Sequence, residues 1–228
     1  HSPLVPRSTE SATVTARIVD ESISGVTVSV LWRVAANPQT SPFTSLAMLD
    51  NGTSGDGAAA DGIYGAVLPA LPNNTVVEYY VQAVDAEGRT NTWPRPAIAA
   101  ADGNGPTGQV VNALFQVDDN AQNGFGVVSS SQPVYKLIMT EAERALLASI
   151  PGISSLQGPN SEMNGTFISL DGTGVELRYR CGFRNRGHGS RTHNPPNYRV
   201  NIPNDQRWKG RRAINFNTDK SSAQVLAA

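Results

Sequence analysis

Between residues 12 and 93 apolar side chains recur at every second position in short runs. In "TVTARIV" (13–19), Val14, Ala16 and Ile18 fall on one side of an extended chain and Thr13, Thr15 and Arg17 on the other. "VTVSVLWRV" (26–34) repeats the pattern with Val26, Val28, Val30 and Trp32 on the inner side. "FTSLAML" (43–49), "GIYGAVL" (62–68), "VVEYYVQAVD" (76–85) and "RTNTWPRP" (89–96) follow, separated by turns rich in Gly, Asn, Asp and Pro. Period-2 runs at this spacing predict antiparallel strands in a β-sandwich of the immunoglobulin or fibronectin-III type, occupying residues 1–96.

The periodicity then stops. "RPAIAAADGNGPTG" (95–108) is Ala, Gly and Pro with no repeat, and 97–108 is expected to be a linker to a second unit over 109–228. Strands are expected at "QVVNALFQV" (109–117), "PVYKLIM" (133–139) and "NYRVNI" (197–202). "TEAERALLASI" (140–150) predicts a helix: Thr140 and Glu143 have capping-box spacing, and Ala142, Leu146 and Ile150 mark an apolar stripe. "NGTFISLDGTGVELRYRCGFR" (164–184) reads as a hairpin turning at Asp171-Gly172, and Lys209-Gly210 as a second turn. The fold class is therefore mainly β, a sandwich followed by an α+β segment.

Charge changes this picture only in the second half. Net charge is −1, but residues 1–100 hold five basic and nine acidic side chains, whereas 175–212 hold ten basic and two acidic. A local field of that sign draws anions. Cys181 is the sole cysteine, so no disulfide forms within the chain. No apolar run reaches the length of a membrane span. "LVPR" (4–7) has the look of a cleavable-tag remnant, to be weighed against a native start.

The basic density peaks in "CGFRNRGHGSRTHNPPNYRVNI" (181–202). Arg184, Arg186, Gly187, His188, Gly189, Ser190, Arg191 and Arg199 combine fixed positive charge, glycines that let the backbone approach, and a small donor. These are the requirements of a phosphate site. A strand–glycine loop–strand order is also that of a kinase phosphate flap. From spacing alone, a glycine-rich hairpin with solvated arginines explains the same residues and stands beside that reading. Asp50, Asp56 and Asp61, with Asn51, lie among glycines in "LDNGTSGDGAAADGIYG" (49–65) and are candidate calcium ligands. Their spacing is not that of an EF-hand, and a set of Asp-Gly turns is the weightier account. His188 and His193 lack the cysteine or carboxylate companions of a zinc site. Ser190 lacks the orienting acid of a nucleophile. Tyr179, Phe183, Tyr198 and Trp208 interleave with the arginines as a nucleic-acid groove would require, but strand alternation would bury them, so nucleic acid is disfavoured.

From Tyr135 onward the chain resembles the spore-coat protein H (CotH) kinase family, atypical protein kinases with a divergent kinase-like fold. The stretches that carry the resemblance are "YKLIMTEAERALL", "MNGTFIS", "LRYRCGFRNRGHGSR", "PPNYRVNIP", "WKGRRAINFN" and "SSAQVLA". "HSPLVPRST", "MLDNGTSGDGAAADGIYGAVLP" and "VVEYYVQAVDAEGRTNTWP" resemble the immunoglobulin-like module that precedes that domain in long secreted bacterial proteins, which favours a native start at His1. The resemblance implies ATP and Mg²⁺ as ligands, an extracellular or cell-surface setting, and a protein substrate or surface partner. It also implies a phosphate loop from Arg186 to Arg191, with Arg199 standing in for a lysine. Many members carry a Lys-Lys-Ser-Tyr type run where this chain has Pro195-Pro196-Asn197-Tyr198, and Arg and Lys are not equivalent in shape or hydration.

The acids that hold metal and position the acceptor in the family lie past the point where this chain ends. The expectation is thus the nucleotide-binding first lobe of a kinase, catalytically incomplete alone, with the rest of the polypeptide beyond Ala228 packing on 109–228. The alternative is a non-catalytic surface or coat module with a degenerate kinase-like domain.

Overall fold

The computed structural model describes residues 1–21, 24–98, 107–120, 133–150, 161–171, 173–187 and 196–217. The described residues are mainly β, built into antiparallel sheets with one short α-helix among them. It divides into two compact units, one of His1–Ala35 and Thr40–Ser129, the other of Ser130–Ala228 with Ala36–Gln39.

In the first unit, β1 (Ala12–Arg17) pairs with β4 (Ile63–Leu68) over six residues. A larger sheet has the order β3 (Thr44–Met48), β2 (Thr27–Val34), β5 (Val76–Val84), β6 (Thr90–Trp93). The alternation seen in the sequence sets the burial: Val14, Val28 and Val30 are inside, while Thr15 and Arg17 are exposed. The pattern weakens at strand ends, where Val26 and Trp32 are only half-buried. The opening residues belong to this unit. Ser2 bridges Thr13, Val5 is fully buried, and the His1 ring stacks on Phe115 with centroids 4.8 Å apart.

Residues 109–117 correct the expected boundary. β7 (Ala113–Gln116) does not open the second unit; it pairs antiparallel with Val76–Tyr79 of β5, on the edge of β5 that β6 shares further along. The reason is burial on both sides. Ala113, Leu114 and Phe115 are all within 1 % of full burial, a continuous apolar run that suits an interior strand. Buried Glu78 adds a polar clamp, accepting from Arg33 Nε of β2 at 2.8 Å and from Asn112 Nδ2 at 2.5 Å. The stretch expected as a linker is pinned at its ends, Ala97 and Gly108 exchanging two backbone hydrogen bonds of 2.8 and 3.0 Å.

The second unit is one five-stranded antiparallel sheet in the order β12 (Ala213–Phe216), β11 (Tyr198–Asn201), β10 (Gly174–Asn185), β9 (Met163–Asp171), β8 (Val134–Ile138). Its edge strands are four spacings apart, roughly 19 Å in a flat sheet. Yet Tyr135 of β8 and Phe216 of β12 meet edge-to-face with centroids 5.4 Å apart. The sheet is therefore curled like half a barrel. Phe167, Cys181, Phe183, Val200, Ile202 and Trp208 fill the hollow, with Tyr135, Leu137, Ile214 and Phe216 against them. Part of the curl is local: between Arg178 and Cys181 two residues of β10 face one of β9, and Arg180 adopts φ 55°.

Each end of the hollow is closed. At one end Trp208 donates from Nε1 to Ser169 Oγ at 2.8 Å, held by the turn Lys209-Gly210, whose φ values of 49° and 75° suit a two-residue hairpin. At the other lies α1 (Glu141–Ser149), capped by Thr140, whose Oγ1 accepts from Glu143 N at 3.2 Å. The expected stripe is corrected by one residue. Leu147 is buried, whereas Leu146 is 56 % exposed. Glu143 shares the face of Leu147, and its carboxylate accepts from Asn164 N at 2.9 Å at the start of β9. A polar residue on the inner face displaced the apparent stripe.

Candidate functional site

β10 and β11 are neighbours in the sheet and pair in a fixed register: Gly182 with Asn201, Phe183 with Val200, Arg184 with Arg199, Asn185 with Tyr198. Residues opposite each other share a face, so this register sorts the stretch by chemistry. Phe183 and Val200 are fully buried in the hollow. Arg184, Arg199, Gly182 and Asn201 lie on the other face. Arg186 N donates to Asn197 O at 2.8 Å and closes the base of the connecting segment. Gly187 then has φ 97°, in the left-handed region that favours glycine. His188, Gly189, Ser190 and Arg191, and with them His193, lie outside the described residues.

The structure thus brings Arg184, Arg186, Gly187 and Arg199 together at the stem of one hairpin. Arg186 Nη1 donates to Asn217 Oδ1, just past β12. Arg199 donates from Nε to Asn201 Oδ1 at 2.8 Å. Arg184 Nε lies 4.0 Å from Glu162 Oε1. Glu162 was not anticipated from sequence, because it stands alone in a polar stretch before β9 and meets the arginines only through strand pairing. Gly182 makes room for it: a Cβ at Gly182 would lie 2.1 Å from Glu162 Oε2.

Other members of the basic run serve the fold. Arg178 donates from Nε to Gln206 O at 2.7 Å and from Nη2 to Arg207 O at 3.2 Å, tying β10 to the turn before Trp208, and it pairs with Glu176. Arg180 faces Asp205 at 3.5 Å. Lys209 pairs with Asp171, and this ion pair, with the Thr173 hydroxyl, lowers the Asp171 pKa to about 2. Phe183 and Trp208 are core residues rather than a stacking platform. Burial pushes the Cys181 thiol up to about 12.

The acidic loop of the first unit is self-contained. Asp56 accepts from the backbone N–H of Asn51, Gly52 and Ser54 at 2.6, 2.7 and 2.9 Å. Burial works to raise its pKa, and these amides outweigh burial and hold it below the ordinary value. Asp50 accepts from Asp61 N and Gly62 N, and Asp61 from Ile63 N and Ala58 N. Each candidate calcium carboxylate is therefore engaged by backbone amides, as the turn-set reading requires. Among the described residues no three His, Cys, Asp or Glu side chains converge as a metal site. The loop crosses β4 closely at Gly65, where a Cβ would stand 2.4 Å from Ser54 O. Beside it a groove of 540 Å³, lined by Val26, Val28, Ala47, Met48 and Tyr64 with Asp50, is mainly apolar.

No helix among the described residues is long and apolar enough to cross a membrane. No family model and no curated protein sequence matches the chain.

Proposed function

We propose that the second unit is the phosphate-binding lobe of an atypical protein kinase related to the CotH family, carried behind an immunoglobulin-like module of a secreted bacterial protein. The observation that supports this reading is the β10–β11 pairing. It places Arg184, Arg186 and Arg199 at the stem of a connection containing Gly187, Gly189 and Ser190. Fixed guanidiniums beside a glycine-rich stretch of sequence suit the oxygens of a nucleotide phosphate.

The residues fit the phosphates better than a metal. The acids of the described second unit are already engaged: Glu162 by Asn201, Asp171 by Lys209, Glu176 by Arg178, Asp205 by Arg180, Glu141 by Arg144, Glu143 by Thr140 and the Asn164 amide. In this reading, ATP binds through its phosphates. Acids other than those just named would then hold Mg²⁺ and position the acceptor hydroxyl. The same engagement of the acids also favours the second reading, a surface or coat module that has lost catalysis.

Calorimetric titration with ATP, with and without Mg²⁺, tests the proposal. The expected result is binding that is lost in the Arg186→Ala/Arg191→Ala double variant. Unchanged binding in that variant removes the loop from the site. Absence of ATP binding overturns the nucleotide reading in favour of the surface module.

A further inference from the structure

The outer face of the β10–β11 pair sets two like charges opposite each other. Arg184 and Arg199 are register partners, an arrangement that costs stability unless other groups offset it. Glu162 and Asn201 provide the offset. Glu162 Oε1 accepts from Asn201 Nδ2 and approaches Arg184 Nε. Asn201 turns its Oδ1 the other way, to Arg199 Nε at 2.8 Å. Chemistry fixes the direction of this relay. A carboxylate only accepts, so Asn201 must give its amide N–H to Glu162, which leaves its oxygen for the guanidinium. Gly182, the register partner of Asn201, gives the Glu162 carboxylate its seat across β10.

Arg199 is therefore gripped, among the described residues, by its Nε alone. Among the described residues neither Nη group of Arg199 has a protein acceptor, and the side chain is half-buried. A guanidinium offers two further N–H edges in a planar fork that matches two phosphate oxygens. A long side chain held beforehand loses less freedom when it grips a ligand, so the grip is tighter.

We propose that Glu162 and Asn201 are positioning residues, which together hold Arg199 as a preformed fork for a phosphate group. This rests on the reading of the hairpin as a phosphate site, and it assigns to Arg199, rather than to a lysine, the main fixed contact.

The test uses the full chain and two probes, ATP and inorganic pyrophosphate, titrated by calorimetry. The Arg199 Nε–Hε resonance is followed by NMR in the absence of ligand. Asn201→Leu removes the relay without changing charge and is expected to weaken both probes about tenfold, the scale of one charge-assisted hydrogen bond. Asn201→Asp sets two carboxylates against each other and weakens them as well. Adding Glu162→Gln to Asn201→Asp restores the wild-type charge and reverses the hydrogen bond, the new amide at position 162 now donating. This pair is expected to recover binding and a slowly exchanging Nε–Hε signal. A merely structural role would not give recovery of affinity by the swapped pair at unchanged melting temperature. Should Asn201→Leu fail to fold, Gly182→Ala, which unseats the Glu162 carboxylate, replaces it.

Binding that ignores every one of these changes, or an Arg199 Nε–Hε that exchanges freely in the wild type, overturns the relay and leaves the nucleotide reading standing. Pyrophosphate binding with this mutational pattern but no ATP binding overturns the nucleotide reading and leaves the relay standing. Failure of both probes overturns both.

Discussion

Two single residues of the second unit have chemistry set by their neighbours, in opposite directions. Lys209 and Thr173 hold Asp171 at a pKa of about 2, below its ordinary 3.8. The folded state binds this proton more weakly than the unfolded chain does. The ion pair therefore adds stability above pH 3.8, and that contribution is lost as pH falls from there through about 2. Asp171→Asn should lower stability at neutral pH and flatten the stability–pH curve in that window. Chemical denaturation at stepped pH measures it; a parallel curve for the variant would show that the pair carries no linkage. Cys181 goes the other way. Its thiol is fully buried and raised to about 12, so almost no thiolate is present at pH 8. A thiol reagent should leave the native protein untouched and label one site after denaturation. Rapid native labelling would place Cys181 at an opening in the sheet.

At the scale of elements, period-2 patterning is a local property, and it was legible wherever one face of a strand is wet. Val14 and Val28 could be placed from sequence because their neighbours are polar. The helix was legible from Thr140 and Glu143, but its inner face was not. Glu143 is a polar residue on the buried side, bound to the Asn164 amide, and a search for apolar stripes passes over it. Leu147→Ala should cost about 2–5 kcal/mol, as for other buried leucines. Leu146→Ala, on the wet face, should stay within about 0.5 kcal/mol. Urea denaturation of the two variants decides between the faces, and equal costs would return the helix to the sequence-based stripe. The candidate site was legible in the same partial way. Arg184, Arg186, Gly187 and Arg199 stand in one motif. Glu162 and Asn201 join them only through strand register, which no spacing within the motif encodes. Gly165 makes the same point about the hollow: a Cβ there would stand 2.3–2.7 Å from the buried Phe183 ring. Gly165→Ala should destabilise the second unit by about 1–3 kcal/mol, the usual range for overpacking, in the same denaturation assay.

At the scale of the whole molecule, the open question for sequence reading was where one unit gives way to the next. The Gly- and Pro-rich stretch at 97–108 has the composition of a linker, but composition reports only that a segment lacks periodicity, not whether its ends meet. Ala97 and Gly108 do meet, and β7 returns to β5. Phe115 is the residue on which this assignment turns. It is 1 % exposed, pairs in register with Val77, and carries the His1 ring at 4.8 Å and Tyr79 at 6.1 Å. Phe115→Ala should therefore cost about 3–5 kcal/mol. The loss should fall on the first unit, because local stability follows the core that a residue packs into. Hydrogen exchange followed by NMR reads the location directly. Amides of β2, β5 and β6 should lose protection, and those of β9 and β10, whose core is built on Phe167 and Phe183, should keep theirs. Loss of protection in β9 and β10 with β5 unchanged would return β7 to the second unit, and with it the boundary near Gln109.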